Sequence, residues 1–304
     1  MSPKTTSSDS VLQQLCAFGI VPVVVIDDPR LAGQLGQALK EGGLPCAEIT
    51  FRTSGARDAI QSMHEEHPDI LVGAGTVLTV HQAEEALKAG ASFIVAPGLN
   101  PAVVAFCTER GIPVTPGIMT PTDIEAAIGL GLNVLKFFPA EAAGGLRFLK
   151  AVSAPYKMVR FIPTGGIDRS NFLQYLSFPA TLAIGGSWMV KAEVLRDRRF
   201  DLVRNEVTDA VRDMIGLHIE SGSMEDAEIR SHLDPVLRVL PLAAESTPKE
   251  KTTGTVLRLS VRSLERALVR LSAAGIAHSR PDGSLGRVII EIGPAGWVTE
   301  IVQR

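Results

Sequence analysis

A lysine set inside a short apolar run is the first feature of this sequence that invites chemistry. In Val134-Leu135-Lys136-Phe137-Phe138-Pro139 the branched and aromatic residues predict a strand. The two-residue alternation of a strand puts Lys136 and Phe138 on one face, and Leu135 and Phe137 on the other. If the apolar pair lies under helices, Lys136 faces the interior, where an ammonium is costly to keep charged. A partly neutral amine is what imine formation on a keto group requires. The plainer reading is a lysine at a strand end that snorkels to solvent.

A second run, Glu48-Ile49-Thr50-Phe51-Arg52, spaces three polar residues two apart. On a strand, Glu48, Thr50 and Arg52 share one side, so a proton-transferring carboxylate and a guanidinium able to grip a carboxylate would face the same space. A structural ion pair between Glu48 and Arg52 is the alternative. Gly73-Ala74-Gly75-Thr76 ends another run, where glycines let backbone approach a ligand and Thr76 offers a hydroxyl. Pro163-Thr164-Gly165-Gly166-Ile167 and Gly185-Gly186-Ser187 are glycine-rich turns suited to holding a phosphate on backbone N–H groups, or are simply tight turns. His64, His67 and His81 have no metal-ligand spacing and read as surface helix residues, while Trp188 and Phe148 read as packing.

These residues need elements to hold them. Strands are expected at Val21–Ile26, Cys46–Phe51, Ile70–Val77, Phe93–Ala96, Pro113–Ile118, Val134–Phe138, Arg160–Pro163 and Leu182–Ile184. Amphipathic helices fall between them, as at Arg30–Glu41, Ala56–Glu66, His81–Ala89 and Pro121–Leu130. Glycines close several helices (Gly90, Gly111) and prolines open others (Pro29, Pro101, Pro121). One βα unit roughly every 20 to 25 residues predicts an α/β (β/α)₈ TIM barrel, with function gathered at the C-terminal strand ends. A doubly wound sheet fits the spacing too, but the early G-x-G-x-x-G it would carry is absent.

The polar residues 1–10 read as a disordered tail rather than a signal peptide, and the barrel is expected over 11–215. From residue 216 to 304 the pattern changes to a small α+β domain. It has strands at Leu217–Glu220, Pro235–Leu242, Thr255–Val261, Val288–Ile292 and Trp297–Val302, helices at Met224–His232 and Ser263–Ala274, and a polar break, AESTPKEKTTG. Net charge is -3 over 304 residues, with acids and bases intermixed, so no basic stripe points to nucleic acid. No apolar stretch is long enough to span a membrane. Cys16, Cys46 and Cys107 have no paired spacing and read as reduced thiols of a cytoplasmic protein.

The runs AEITFRT (47–53), VGAGTVL (72–78), APGL (96–99), PGIMTP (116–121), KFFPAE (136–141), PTGGI (163–167) and IGGSW (184–188) closely resemble 2-keto-3-deoxy-6-phosphogluconate aldolase, a family bifunctional with 4-hydroxy-2-oxoglutarate aldolase. The resemblance covers roughly residues 10–213. It implies a class I aldolase, usually a homotrimer, with no metal or other cofactor and a phosphorylated keto sugar acid as substrate. By that resemblance Lys136 forms the Schiff base and Glu48 is the general acid and base. Arg52 and Thr76 hold the pyruvyl carboxylate, Pro97 and Phe138 line the pyruvyl pocket, and Thr164, Gly165, Gly166, Gly186 and Ser187 hold the phosphate. An aldolase for the phosphogalactonate epimer, or a barrel regulated by a ligand-binding C-terminal domain, are the alternatives. Residues 255–274 and 296–302 look like a glyoxalase, or vicinal-oxygen-chelate, module. In it His218 and Glu300 could match two metal-ligand positions, and Val256 stands where the second module usually carries its strand histidine. Two ligands fall short of a metal site, so a metal-free structural or oligomerising domain is expected.

Overall fold

The computed structural model describes residues 7–221, 236, 256–262, 264–273, 276, 287–292 and 297–303. The chain divides into two compact units, Met1–Val207 and Thr208–Arg304.

The first unit opens with α1 (Ser7–Phe18), followed by β1 (Ile20–Val24), α2 (Ala32–Glu41), β2 (Cys46–Thr50), α3 (Ala56–Glu66) and β3 (Leu71–Gly75). Next come α4 (Val80–Lys88), β4 (Phe93–Val95), α5 (Pro101–Thr108), β5 (Val114–Thr115), β6 (Gly117–Ile118), α6 (Pro121–Gly129) and β7 (Val134–Phe137). The unit ends in α7 (Gly145–Ser153), β8 (Arg160–Pro163), α8 (Phe172–Leu176), β9 (Ile184–Gly186), α9 (Ala192–Arg196) and the start of α10 (Phe200–Ile215). All its strand pairs are parallel. One sheet runs β5-β4-β3-β2-β1-β9 and another β6-β7-β8. Isolated bridges Phe161–Thr181 and Thr164–Gly185 join β8 to the β9 segment. This is a TIM-like α/β fold.

The expected strand Pro113–Ile118 is instead two short strands separated at Pro116, because proline has no N–H to give the ladder. Pro116 still accepts from the Lys136 N–H at 2.9 Å, so the backbone of β7 stays anchored across the break. The last expected strand, Leu182–Ile184, moves on to Ile184–Gly186, which pairs with Ile20–Pro22. The first helix begins at Ser7, inside the stretch expected as a tail, since serine and aspartate suit a helix start. Val11, Leu12, Leu15 and Phe18 of α1 pack against the first inward residues of the strands, Val21, Cys46, Leu71, Phe93 and Val134, and against Leu182 just before β9. The N-terminal end of the sheet is therefore an apolar floor. Among the described residues, no helix is long and apolar enough to cross a membrane.

The second unit contains β10 (His218–Ser221), β11 (Val256–Val261), α11 (Leu264–Ala273), β12 (Arg287–Ile292) and β13 (Trp297–Gln303), with sheet order β10-β11-β13-β12. Strands β11 and β13 are parallel, and the outer pairs are antiparallel. Ala267, Leu268 and Leu271 of α11 are buried, as are Val261 and Ile301. The register sets His218 opposite Ser260, and Glu300 between Arg258 and Ile289. The helix expected at 224–232 lies outside the described residues. So does the strand expected at 235–242, apart from Val236, which is helical.

Candidate active site

Above the apolar floor the inward positions turn polar. The alternation that carries Val134 inward at the start of β7 carries Lys136 inward two residues later, and Leu135 and Phe137 are fully buried on the other face. Cys46 is followed in the same way by Glu48 on β2. Lys136 Nζ lies 3.3 Å from Glu48 Oε1, with the two side chains 7% and 3% exposed. An amine and a carboxylate so enclosed hold each other in place, because either alone would carry the cost of burial without a partner.

The room for Glu48 comes from the next strand. A Cβ on Gly75 would lie 2.2 Å from Glu48 Oε1, and one on Gly73 would lie 2.2 Å from the Phe93 ring. Sequence reasoning takes these glycines as openings for ligand; the structure fills both spaces with protein side chains. Thr50 turns its hydroxyl to the Val24 carbonyl at 2.8 Å and braces β1 against β2.

Arg52 lies past the end of β2 in a turn, where strand alternation no longer applies, and it is exposed. Its Nε approaches Thr76 Oγ1 at 3.4 Å. Thr76 has φ of 57°, a conformation that a β-branched residue adopts only where its surroundings impose it. Phe138 also lies past its strand. Its ring centroid is 5.2 Å from Lys136 Nζ, and a Cβ on Gly165 would meet the same ring at 3.3 Å. The ring thus separates the amine from the Gly165-Gly166 turn. Pro97 is half-buried at the end of β4, its carbonyl against Gly117, the residue paired with Lys136.

The Gly165-Gly166 turn is oriented by its carbonyls. Thr164 O accepts from Ala140 N at 2.8 Å and Gly165 O from Glu141 N at 3.0 Å. Gly166 O accepts from Asn171 Nδ2 at 3.1 Å. In a trans peptide the N–H points opposite to the C=O, so the N–H groups of Gly165, Gly166 and Ile167 face away from these three donors. With φ of 99° at Gly165 and 79° at Gly166, successive N–H groups line one side of the turn, an arrangement that favours an anion. A cavity of about 400 Å³ joins Gly166 to Ser187 and is also lined by Val23, Val25, Ile167 and Trp188. Gly186 lies beneath Trp188, whose ring a Cβ there would strike, and Thr164 Oγ1 packs on Gly185.

Among the described residues, no group of three or more His, Cys, Asp or Glu could hold a metal ion. His81 faces Glu85, and the His67 ring meets the Gly33 carbonyl at 2.8 Å. Phe148 stacks on Phe137, and Trp188 tilts against Phe172. Sequence reasoning missed Glu141, Asn171 and Tyr175. The Tyr175 hydroxyl donates to Glu141 Oε1, and burial followed by that bond pushes the phenol well above its ordinary range. Glu141 lies inside the KFFPAE run, but nothing in its spacing marks it as a support.

Known proteins carry the same frame. A 2-dehydro-3-deoxy-phosphogluconate aldolase of Treponema pallidum is 46% identical over 194 residues, 64% of this chain and 92% of that protein. The solved KDPG aldolase of Legionella pneumophila, with pyruvate captured as a covalent carbinolamine intermediate, is 35% identical at a TM-score of 0.63 and covers 67% of this chain and 97% of its own. The 2-keto-3-deoxy-6-phosphogluconate aldolase of Zymomonas mobilis, solved with 3-phosphoglycerate, is 38% identical at a TM-score of 0.59, over 66% of this chain and 94% of that one. The family model described as KDPG and KHG aldolase matches residues 11–205, and the chain belongs to that family of aldolases.

Proposed function

We propose that this chain is a class I aldolase that cleaves 2-keto-3-deoxy-6-phosphogluconate to pyruvate and glyceraldehyde 3-phosphate through an imine on Lys136. The observation that carries the reading is the enclosed pair, Lys136 Nζ 3.3 Å from Glu48 Oε1 above an apolar floor. Lys136 attacks the C2 ketone, and loss of water leaves a protonated imine. Glu48, through a water, takes the proton of the C4 hydroxyl. The C3–C4 bond then breaks with its electrons moving into the imine, giving the enamine of pyruvate and free glyceraldehyde 3-phosphate. Glu48 returns a proton to C3, and hydrolysis releases pyruvate and the lysine.

Arg52 and Thr76 grip the pyruvyl carboxylate, and Pro97 and Phe138 wall its pocket. The phosphate sits against Thr164, Gly165, Gly166, Gly186 and Ser187. The pyruvate adduct of the Legionella relative supports an amine nucleophile, and the phosphorylated acid in the Zymomonas relative supports a phosphate subsite. The same machinery serves 4-hydroxy-2-oxoglutarate, which yields pyruvate and glyoxylate. The reaction uses no metal, and the sequence resemblance supports a cytoplasmic homotrimer. Residues 216–304 form a separate vicinal-oxygen-chelate-like domain that is structural or oligomerising, with His218 and Glu300 too few to ligate a metal.

Borohydride reduction in the presence of pyruvate should add one reduced pyruvyl group to the peptide bearing Lys136. An unmodified Lys136, or full turnover in Lys136→Ala, rules the assignment out.

A further inference from the structure

We propose that Asn171 and the Glu141–Tyr175 pair are positioning residues that fix the outward aim of the Gly165-Gly166-Ile167 N–H groups, and with it the affinity for the phosphorylated end of the substrate. The proposal rests on the phosphate reading of that turn. None of the three side chains needs to touch substrate.

Two walls hold the turn. On one, the Glu141 backbone N–H takes the Gly165 carbonyl at 3.0 Å, and Glu141 Cβ fills the space that a Cβ on Gly166 would reach at 2.6 Å. Glu141 is exposed in the middle of the 138–144 turn, where its side chain adds to the few backbone bonds that fix it. That side chain is tied to the Tyr175 hydroxyl, and Tyr175 is 1% exposed within α8. On the other wall, Asn171 Nδ2 holds the Gly166 carbonyl at 3.1 Å while Asn171 Oδ1 accepts from Asp168 N at 2.9 Å. One amide thus closes the loop from Gly166 to Asp168. Glycines at positive φ have wide conformational freedom, so without these bonds the N–H groups would sample other directions and bind an anion less well.

The test compares Tyr175→Phe, Asn171→Ala and Glu141→Gln with wild type. Glu141→Gln keeps an oxygen for the tyrosine and should retain most of the affinity that the other two lose. Three readouts are needed: KM and kcat for the phosphorylated keto acid, kcat/KM for 4-hydroxy-2-oxoglutarate, and competitive inhibition by inorganic phosphate. In Tyr175→Phe and Asn171→Ala, KM for the phosphorylated acid and the inhibition constant for phosphate should each rise about tenfold, the scale of one charge-assisted hydrogen bond. kcat/KM for the unphosphorylated acid should change less than about twofold. Equal losses on both substrates would mean support of the fold alone and overturn the proposal. So would unchanged phosphate inhibition in all variants of an enzyme that phosphate does inhibit. A wild type that neither prefers the phosphorylated acid nor is inhibited by phosphate removes the phosphate reading itself. If Tyr175→Phe does not fold, Asn171→Ala and Glu141→Ala, which removes the acceptor of the tyrosine and should show the same losses, decide the matter.

Discussion

A methyl group added at Gly75 would lie 2.2 Å from Glu48 Oε1, 2.7 Å from its Cγ and 2.8 Å from its Cδ. Ordinary contact begins near about 3.5 Å, so in Gly75→Ala the carboxylate must shift by about 1 Å or more. Its separation from Lys136 Nζ is already 3.3 Å, at the outer edge of a hydrogen bond, and such a shift breaks the pair. Misplacing a reacting group by about 1 Å costs about 10²-fold in rate, and losing general acid–base help altogether costs up to about 10⁴-fold. The expected fall in kcat is therefore about 10²- to 10³-fold, or about 3 to 4 kcal/mol of transition-state stabilisation. Stability should fall as well, because parting the pair leaves two buried groups without a partner. Alanine in extended β3 offsets about 0.5–1 kcal/mol of that loss, the entropy that glycine gives up on folding.

The assay is pyruvate release coupled to NADH oxidation, with borohydride trapping of pyruvate and a thermal melt run beside it. Trapping on Lys136 should survive, because the amine itself is untouched. The double variant Gly75→Ala/Glu48→Gln should be no more than about threefold slower than Glu48→Gln alone, since both changes remove the same function. A Gly75→Ala enzyme within threefold of wild type, or losses that multiply in the double variant, would refute this account of how Glu48 is held.

Gly73→Ala should leave the Lys136–Glu48 pair and its rate intact. Its Cβ would meet three Phe93 ring carbons at 2.2 to 2.5 Å, and that ring is packed in the floor, so about 1–3 kcal/mol of stability should go and an unchanged melting temperature would be decisive against it. Thr76→Gly relieves the left-handed strain and should raise stability by about 1 kcal/mol, while KM for the keto acid rises as Arg52 loses its hydroxyl neighbour; a lower melting temperature counts against this. Burial pushes the Cys107 thiol up to about 11, so it should stay unlabelled by alkylating reagents near neutral pH until the chain unfolds, which mass spectrometry can follow. The Asp123 carboxyl is partly desolvated, but bonds from the N–H groups of Thr120 and Met119 outweigh this and hold it below the usual carboxylate range. Because the folded value is the lower one, the stabilisation is present above the unfolded value of about 3.9 and is lost as pH falls through the folded value. The gap in melting temperature between wild type and Asp123→Asn should accordingly close in acid; a gap that persists there contradicts the capping role.

Strand periodicity sufficed for Lys136 and Glu48 because both lie within regular strands, where each step of two returns to the same face. It did not suffice one or two residues beyond. Arg52 and Phe138 follow the last paired residues of β2 and β7, so their directions depend on turns, and only the contacts with Thr76 and with the Lys136 amine place them. The break at Pro116 was legible in principle, since a proline cannot donate to a ladder, but the flanking apolar residues favour an unbroken strand. The supports of the Gly165 turn were not legible, because Glu141 comes from one turn while Asn171 and Tyr175 come from the N-cap and body of α8, and nothing in the sequence brings the two together.

The same limit explains the glycines of β3. A glycine in a strand announces that a side chain is missing, but the use of the space depends on neighbours fixed by register. Gly75 pairs with Thr50 of β2 and Gly73 with Phe93 of β4, so the vacated volume passes to Glu48 on one side and to an aromatic floor residue on the other. The two substitutions at β3 therefore separate what the strand does for chemistry from what it does for folding. At Gly75 the neighbour is the carboxylate paired with Lys136, so the loss falls first on rate. At Gly73 it is a ring fixed by packing, so the loss falls on stability. If both variants lost rate and stability in the same proportion, the floor and the mouth would be one cooperative layer, and Glu48 would owe its place to general packing rather than to the room left at Gly75.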